Sequence, residues 1–399
     1  LTSKQLAALV PGKLSTLTTD QVNVLTNQQL TALSTAQLAA FSADAVKALD
    51  SDQIAVLSSG QVATLSADEL KDFTADEIAA INTKALAGLQ TSEIALLETA
   101  SLQAFTSTQL GALNASQLGA LKTEQLAVLK TEQLAGLSAK QIVSLDTGAV
   151  SGLTSDQVAK LSTVQVNALT SDQLAGFNGD AIKGLTSDQV KVLTSAQVST
   201  LSAEELNTFT TDEIAAISTK ALSGLTTSAL ADLDATNLKS LSTQQITALN
   251  TAQIQGLTGE KVGELTTAQI SALTSKQISL LTTEAVTGLT TDQIASMTTL
   301  LGAFSTDQIV AMDANQIEAI STDGAASLTS SQISAMNAED ISKFTTDELG
   351  KLTLKAVKGL TTDNVASLTS SQASSFTQAQ LQAMDQAQVE AIQKQYSSN

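Results

Sequence analysis

The 399 residues include no cysteine, histidine or tryptophan, all 20 basic residues are lysine, and there are only one proline, one tyrosine and eight phenylalanines. These gaps exclude whole chemistries. Without thiol or imidazole there is no Cys or His nucleophile, base or metal ligand, and without guanidinium there is no bidentate phosphate clamp. Acidic residues outnumber basic ones 39 to 20, for a net charge of −19. A phosphate polyanion would be repelled, so nucleic acid is not an expected partner. No apolar run approaches the roughly 18 residues of a membrane span, and membrane insertion is not expected either. The missing cysteines fit a protein that leaves the cell without needing disulfides. Leu1 falls in mid-pattern, which reads as a mature product or an excised segment.

What is present is one short pattern many times over. From Leu153 the chain reads LTSDQVAK, LSTVQVNA, LTSDQLAG, FNGDAIKG, each octad opening on a large apolar residue. The register set by Leu1, Leu9, Leu17 and Leu25 holds to Met297, loses one residue in Met297–Ala303, and resumes at Phe304, giving about forty-nine octads. A continuous helix is excluded, because at 3.6 residues per turn each repeat would swing the anchor roughly 80° further round. Strict alternation is missing as well, because the apolar places are positions 1 and 6 of the octad.

The octad is a helix start signal. Position 2 is nearly always Thr or Ser, with Asn82, Asn114, Asp146 and Asp234 as substitutes, all side chains that accept a bond from free first-turn amides. Position 5 is commonly Gln or Glu (Gln21, Gln53, Glu77, Gln157, Glu213), completing a reciprocal capping box. Positions 1 and 6, such as Leu153 and Val158, then become the hydrophobic staple. Pro11 sits at position 3, the first helical residue, where its missing amide does no harm. Acids gather at position 4 (Asp20, Asp52, Asp156, Asp188, Asp292), near the positive end of the helix dipole. Glycine favours position 8 (Gly88, Gly136, Gly184, Gly224, Gly256), which predicts a helix end or a close approach of a neighbouring turn.

Each octad thus predicts about six to seven helical residues, too few to survive alone, so the helices must stack on neighbours. The expected fold class is all-α, a repetitive α-solenoid of very short capped helices, one per octad, running as a single domain through residues 1–399. Phe41, Phe73 and Phe105 lie 32 residues apart, as do Phe177 and Phe209, which favours four octads per coil over two or three. A longer period overlies the octad: FTADEIAAINTKALAGL from Phe73 returns from Phe209 and, more loosely, from Phe344, about seventeen octads each time. With four octads per coil and layers of about 9–10 Å, the chain would be a rod of about 110–120 Å.

Candidate chemistry dissolves into the same pattern. The acid pairs Asp68/Glu69, Asp76/Glu77, Glu204/Glu205, Asp212/Glu213 and Asp347/Glu348 resemble catalytic carboxylates, but they occupy the second and third residues of a helix, where dipole and capping box account for them. Neither EF-hand nor β-roll spacing occurs, so no calcium loop is expected and cation binding is limited to weak surface Ca²⁺. Exposed position-3 hydroxyls (Thr19, Ser155, Thr227, Thr291) read first as solvated helix starts and only second as glycan acceptors. Phe at position 1 reads as core volume, and Lys122 and Lys130 as solvated surface. No catalytic, cofactor-binding or metal-binding residue is assigned, and an enzyme is not expected.

At LTSDQVAKL and its kin the chain resembles the LT-x-x-Q-V/I-x-x-L octad tracts of very large bacterial surface and secreted proteins, adhesin-like or haemolysin-like. In composition it is also similar to surface-layer proteins. The octad opening looks like the start of the DNA-reading repeats of transcription-activator-like effectors, but the 34-residue unit, the base-reading loop and a favourable charge are all absent. The bacterial resemblance implies extracellular structural work in a stalk, filament, sheath or surface layer. The expectation is therefore a self-associating structural protein at the cell surface, whose partners are further copies, with cell-surface glycans or other surface proteins besides. The alternative is a protein-interaction scaffold or an adhesin stalk.

Overall fold

The computed structural model describes residues 1–397. Among them lie forty-five α-helices and four 3-10 helices, with no strand. Ser155–Lys160 shows the unit. Thr154, extended at φ −90°, ψ 161°, accepts a bond from Gln157 N through its hydroxyl, and the Gln157 side chain returns to the Thr154 amide, closing the box. The helix stops at Leu161, which is extended at φ −63°, ψ 140°, and Ser162, also extended, caps the next. Two extended residues thus separate successive helices. Before the last helix, lengths run from four residues at Pro11–Leu14 to six at Ala75–Ala80, the longest of them reaching the lower end of the expected six to seven.

The apolar register is as the pattern requires. From Leu30 to Phe376 position 1 and position 6 residues are buried, Leu153 and Val158 among them, and so are all eight phenylalanines, while Leu1 is exposed and Leu9, Leu17, Leu25, Leu381 and Val389 are half-buried. Pro11 opens its helix, and the position 4 acids fall in first turns. Where position 5 is alanine the box cannot close, and three such octads wind instead as 3-10 helices, Ala85–Gly88, Ala149–Gly152 and Ala356–Gly359. There Asp146 still accepts from the Gly148 and Ala149 amides and Asn82 from Lys84, so the capping chemistry survives the tighter winding.

The helices gather into two compact units, Leu1–Thr200 and Leu201–Asn399. Within the first, Ser155–Lys160 packs on Gly179–Lys183, and within the second, Gly259–Glu264 packs on Thr283–Thr287, in each case the third helix along. The coil therefore closes between the third and fourth octad. The 32-residue spacing of phenylalanines is not the coil repeat, and each helix sits over a junction between two octads of the coil before.

No described glycine has positive φ. Both roles expected of position 8 glycines are used: helices end at Gly136, Gly184, Gly256 and Gly288, and a Cβ on Gly88 would lie 1.9 Å from the Ser59 carbonyl oxygen, one on Gly288 1.9 Å from that of Gly259.

Two departures from the octad are local. The missing residue near 297–304 is absorbed by Met297, at φ −85°, ψ 46°, and a 3-10 helix over Thr299–Ala303, with Met297 and Leu301 both fully buried. The polar stretch from Gln393 is helical as far as Ser397. It closes a twelve-residue helix, Gln386–Ser397, packed on Thr362–Ala366 and Ser370–Ala373.

Candidate functional site

The most repeated polar feature inside the molecule is the position 5 glutamine. In the capping box its Oε1 accepts from the cap amide, which leaves the Nε2 protons free. Gln157 is 3% exposed, and its Nε2 donates to the carbonyls of Leu126 at 2.9 Å and Leu129 at 2.7 Å, one coil back. Gln253 does the same to Leu222 and Leu225, both at 2.8 Å. The acceptors are the position 6 carbonyl of one octad and the position 1 carbonyl of the next. The position 6 carbonyl already accepts the next position 1 amide, as Leu126 does from Leu129 N at 3.2 Å, whereas the position 1 carbonyl of Leu129 has no backbone donor. One amide therefore closes its own helix start and satisfies a helix end in the preceding coil. Each bond contributes about 1 kcal/mol net, and a buried carbonyl left unpaired costs about 1–3 kcal/mol.

The cradle accepts other donors. Asn237, a carbon shorter, reaches Leu206 at 3.1 Å and Phe209 at 3.3 Å. Lys261 places its ammonium 2.9 Å from the Leu233 carbonyl and 2.9 Å from Glu264. Across the one-residue deletion, Gln308 reaches Ile278 and Leu281, separations of 30 and 27 residues instead of 31 and 28, so the same octad positions meet. A weaker outer series runs the other way: Gln103, Asn167 and Asn207 at position 7 donate to Val128, Val192 and Asp232, each 25 residues ahead.

Alanine octads join differently. Ala85, Ala149, Ala181, Ala285 and Ala356 are each followed three residues later by glycine, and a Cβ on Gly88, Gly152, Gly184, Gly288 or Gly359 would come within 1.9–2.3 Å of a backbone oxygen of the earlier coil. At Gly136 and Gly256, which follow glutamine, the nearest atom is 3.1 Å away, but Gly176, which follows Gln173, would bring a Cβ to 2.4 Å from the Thr147 oxygen. At those five alanine octads the amide is missing and the backbones approach directly.

The acid pairs sit where the pattern puts them. Glu69, Glu77, Glu205, Glu213 and Glu348 accept from the Ser66, Thr74, Ser202, Thr210 and Thr345 amides at 2.7–2.8 Å. Asp68 instead pairs with Lys71 at 3.1 Å, and this bond holds the exposed ammonium above the usual lysine value. Among the described residues no three acids converge to hold a metal ion, and no helix is long and apolar enough to cross a membrane. Thr19, Thr227 and Thr291 are exposed and Ser155 half-buried, while Lys122 and Lys130 are exposed.

The coil-to-coil amide escaped the sequence reading because the capping box alone accounts for Gln or Glu at position 5. The signal that could have found it is the preference for the neutral amide at a first-turn position where acids are otherwise favoured, in a chain this acidic.

Five stretches, residues 32–67, 94–131, 126–163, 166–203 and 262–299, match the model of the ALTTAQ repeat, so the chain carries ALTTAQ repeat tracts. Glu69, Glu77, Glu93, Glu205, Glu213 and Glu348 all fall outside the matched stretches. A comparison with curated proteins gave no match.

Proposed function

We propose that the chain is a structural protein of the cell exterior, a repeat stack that self-associates into a rod, filament, sheath or surface layer, and that it performs no catalysis. The observation that carries this reading is the use made of its buried polar side chains. Coil after coil, the position 5 amides are occupied in holding one helix start to the preceding helix end. Repetition of one joint suits length and uniformity, as a load-bearing or surface-covering element requires. The resemblance of the octads to tracts in large bacterial adhesin-like and surface-layer proteins supports the same reading, as does a chain of net charge −19 without cysteine.

The test is electron microscopy of the purified chain, with calcium and with chelator. Ordered filaments or lattices are expected, and their loss on chelation would assign weak surface Ca²⁺ a part in assembly. Uniform single particles in both conditions, at concentrations well above micromolar, would overturn self-assembly and favour a stalk or an interaction scaffold.

A further inference from the structure

The amide joints are not evenly distributed. Position 5 carries no side-chain amide over three runs of octads: Glu69, Glu77, Ala85, Glu93 and Ser101, then Glu205, Glu213, Ala221 and Ala229, then Asp340, Glu348 and Ala356, the last two runs ending at Asn237 and Asn364. The runs begin 136 and 135 residues apart, the spacing of the longer sequence block. The middle run follows shortly after the boundary of the two compact units at Thr200 and Leu201.

The first and third runs each lie inside one unit and show what the replacement does. The alanines Ala85 and Ala356 are followed by Gly88 and Gly359 and close up backbone to backbone. The acids have no such compensation. A carboxylate can close the capping box, as Glu69 and Glu77 do at 2.8 and 2.7 Å, but it has no proton to donate to the carbonyls behind it. Those carbonyls, of Leu38 and Phe41 behind Glu69, Val46 and Leu49 behind Glu77, and Val62 and Leu65 behind Glu93, receive no side-chain amide. The position 6 carbonyls of Leu38, Val46 and Val62 keep the backbone bond from the next position 1 amide, at 2.9–3.1 Å, and the position 1 carbonyls of Phe41, Leu49 and Leu65 are left without the donor that glutamine supplies elsewhere. Glu69, Glu77 and Glu93 are only half-buried, in contrast to the buried Gln109, Gln117 and Gln125 of the next coil. Glu93 Oε2 is the one buried side-chain polar atom without a partner among the described residues.

We infer that the acid-led junctions are built-in seams, the places where the stack of coils opens first, recurring once per long block. The inference concerns how the stack yields and does not depend on whether copies of the chain assemble. Under the proposed function it would give a long repeat element weak points at fixed intervals along its sequence.

Hydrogen–deuterium exchange on the full chain tests it. Helical amides across residues 66–105 are expected to exchange at least about tenfold faster than those across 122–169, where Gln125, Gln133, Gln157 and Gln165 all donate backwards. The triple variant E69Q/E77Q/E93Q, which supplies the missing donors and keeps the capping boxes of Glu69 and Glu77, is expected to slow exchange over 66–105 about tenfold. The control E124Q/E132Q removes first-turn acids that have no inter-coil role and should leave that rate unchanged. Equal protection of the two regions in the native chain would overturn the inference. So would equal slowing by the triple variant and its control, since charge alone would then explain the effect.

Discussion

Gln157 and Gln21 hold the same place in the octad and close the same box, yet one is buried between coils and the other is exposed. Replacing each by glutamate separates the two roles of the residue. Gln21→Glu keeps the box and is expected to change stability by less than about 0.5 kcal/mol. Gln157→Glu also keeps the box but removes two donors and turns a carboxylate toward the Leu126 and Leu129 carbonyls. It should cost about 3 kcal/mol locally, measured as lost exchange protection over residues 126–161. Equal effects at the two sites would reduce the glutamine to a capping residue. At this scale the sequence was legible wherever a role is local: Thr154 as cap, Asp156 in the first turn and Pro11 at the helix start all follow from neighbours within a few residues. The reach of Gln157 back to Leu126 was not legible, because a box needs only Gln or Glu, while the second role depends on which octad lies behind.

The helix itself is a weak element and the junctions decide its form. Four to six residues cannot repay helix nucleation, so each helix persists through its cap, its two buried apolar residues and the coil beneath it. Removing the cap hydroxyl with Thr290→Ala should cost about 1 kcal/mol, read as a lower thermal midpoint and as faster exchange of the Gln293 amide that Thr290 holds at 3.2 Å. The glycines test the second kind of junction. Gly288→Ala drives a Cβ to 1.9 Å from the Gly259 oxygen, and the coils must part, at a cost of about 3 kcal/mol. Gly12 has nothing within 4 Å of the same atom, so Gly12→Ala should be neutral or stabilise by up to about 1 kcal/mol. Thermal denaturation of the two variants in parallel distinguishes close packing from helix propensity, since propensity alone would favour alanine at both. The sequence left position 8 open between a helix end and a close approach. The preference for glycine three residues after an alanine becomes intelligible only when the facing backbone is seen.

At the scale of the whole molecule, contacts are made by octad position and not by absolute spacing. This explains both the helices that the sequence predicts and the coil size that it misjudges. A period of eight defines where helices begin, but closure of the coil between three and four octads depends on how helices of this length pack, and the phenylalanine spacing carries no information about it. The one-residue deletion follows the same logic. Its shortfall is taken up in the 3-10 helix over Thr299–Ala303, and Gln308 and Gln316 still find the position 6 and position 1 carbonyls of the coil before. Restoring an eighth residue there, by inserting alanine after Thr299, should therefore shift exchange protection at Gln308 and Gln316 by no more than about threefold, equivalent to less than about 1 kcal/mol. Deleting Ala252 has a different consequence. It lies between the cap Asn250 and Gln253, so its loss breaks the box and carries the Gln253 amide away from Leu222 and Leu225. Protection should collapse from the coil of Leu222 through that of Gln253, while regions further along the chain keep theirs, because a repeat stack transmits damage mainly to nearest neighbours. Exchange measured peptide by peptide on both variants decides the matter: comparable losses from insertion and deletion would mean that spacing, and not octad position, holds the coils in register.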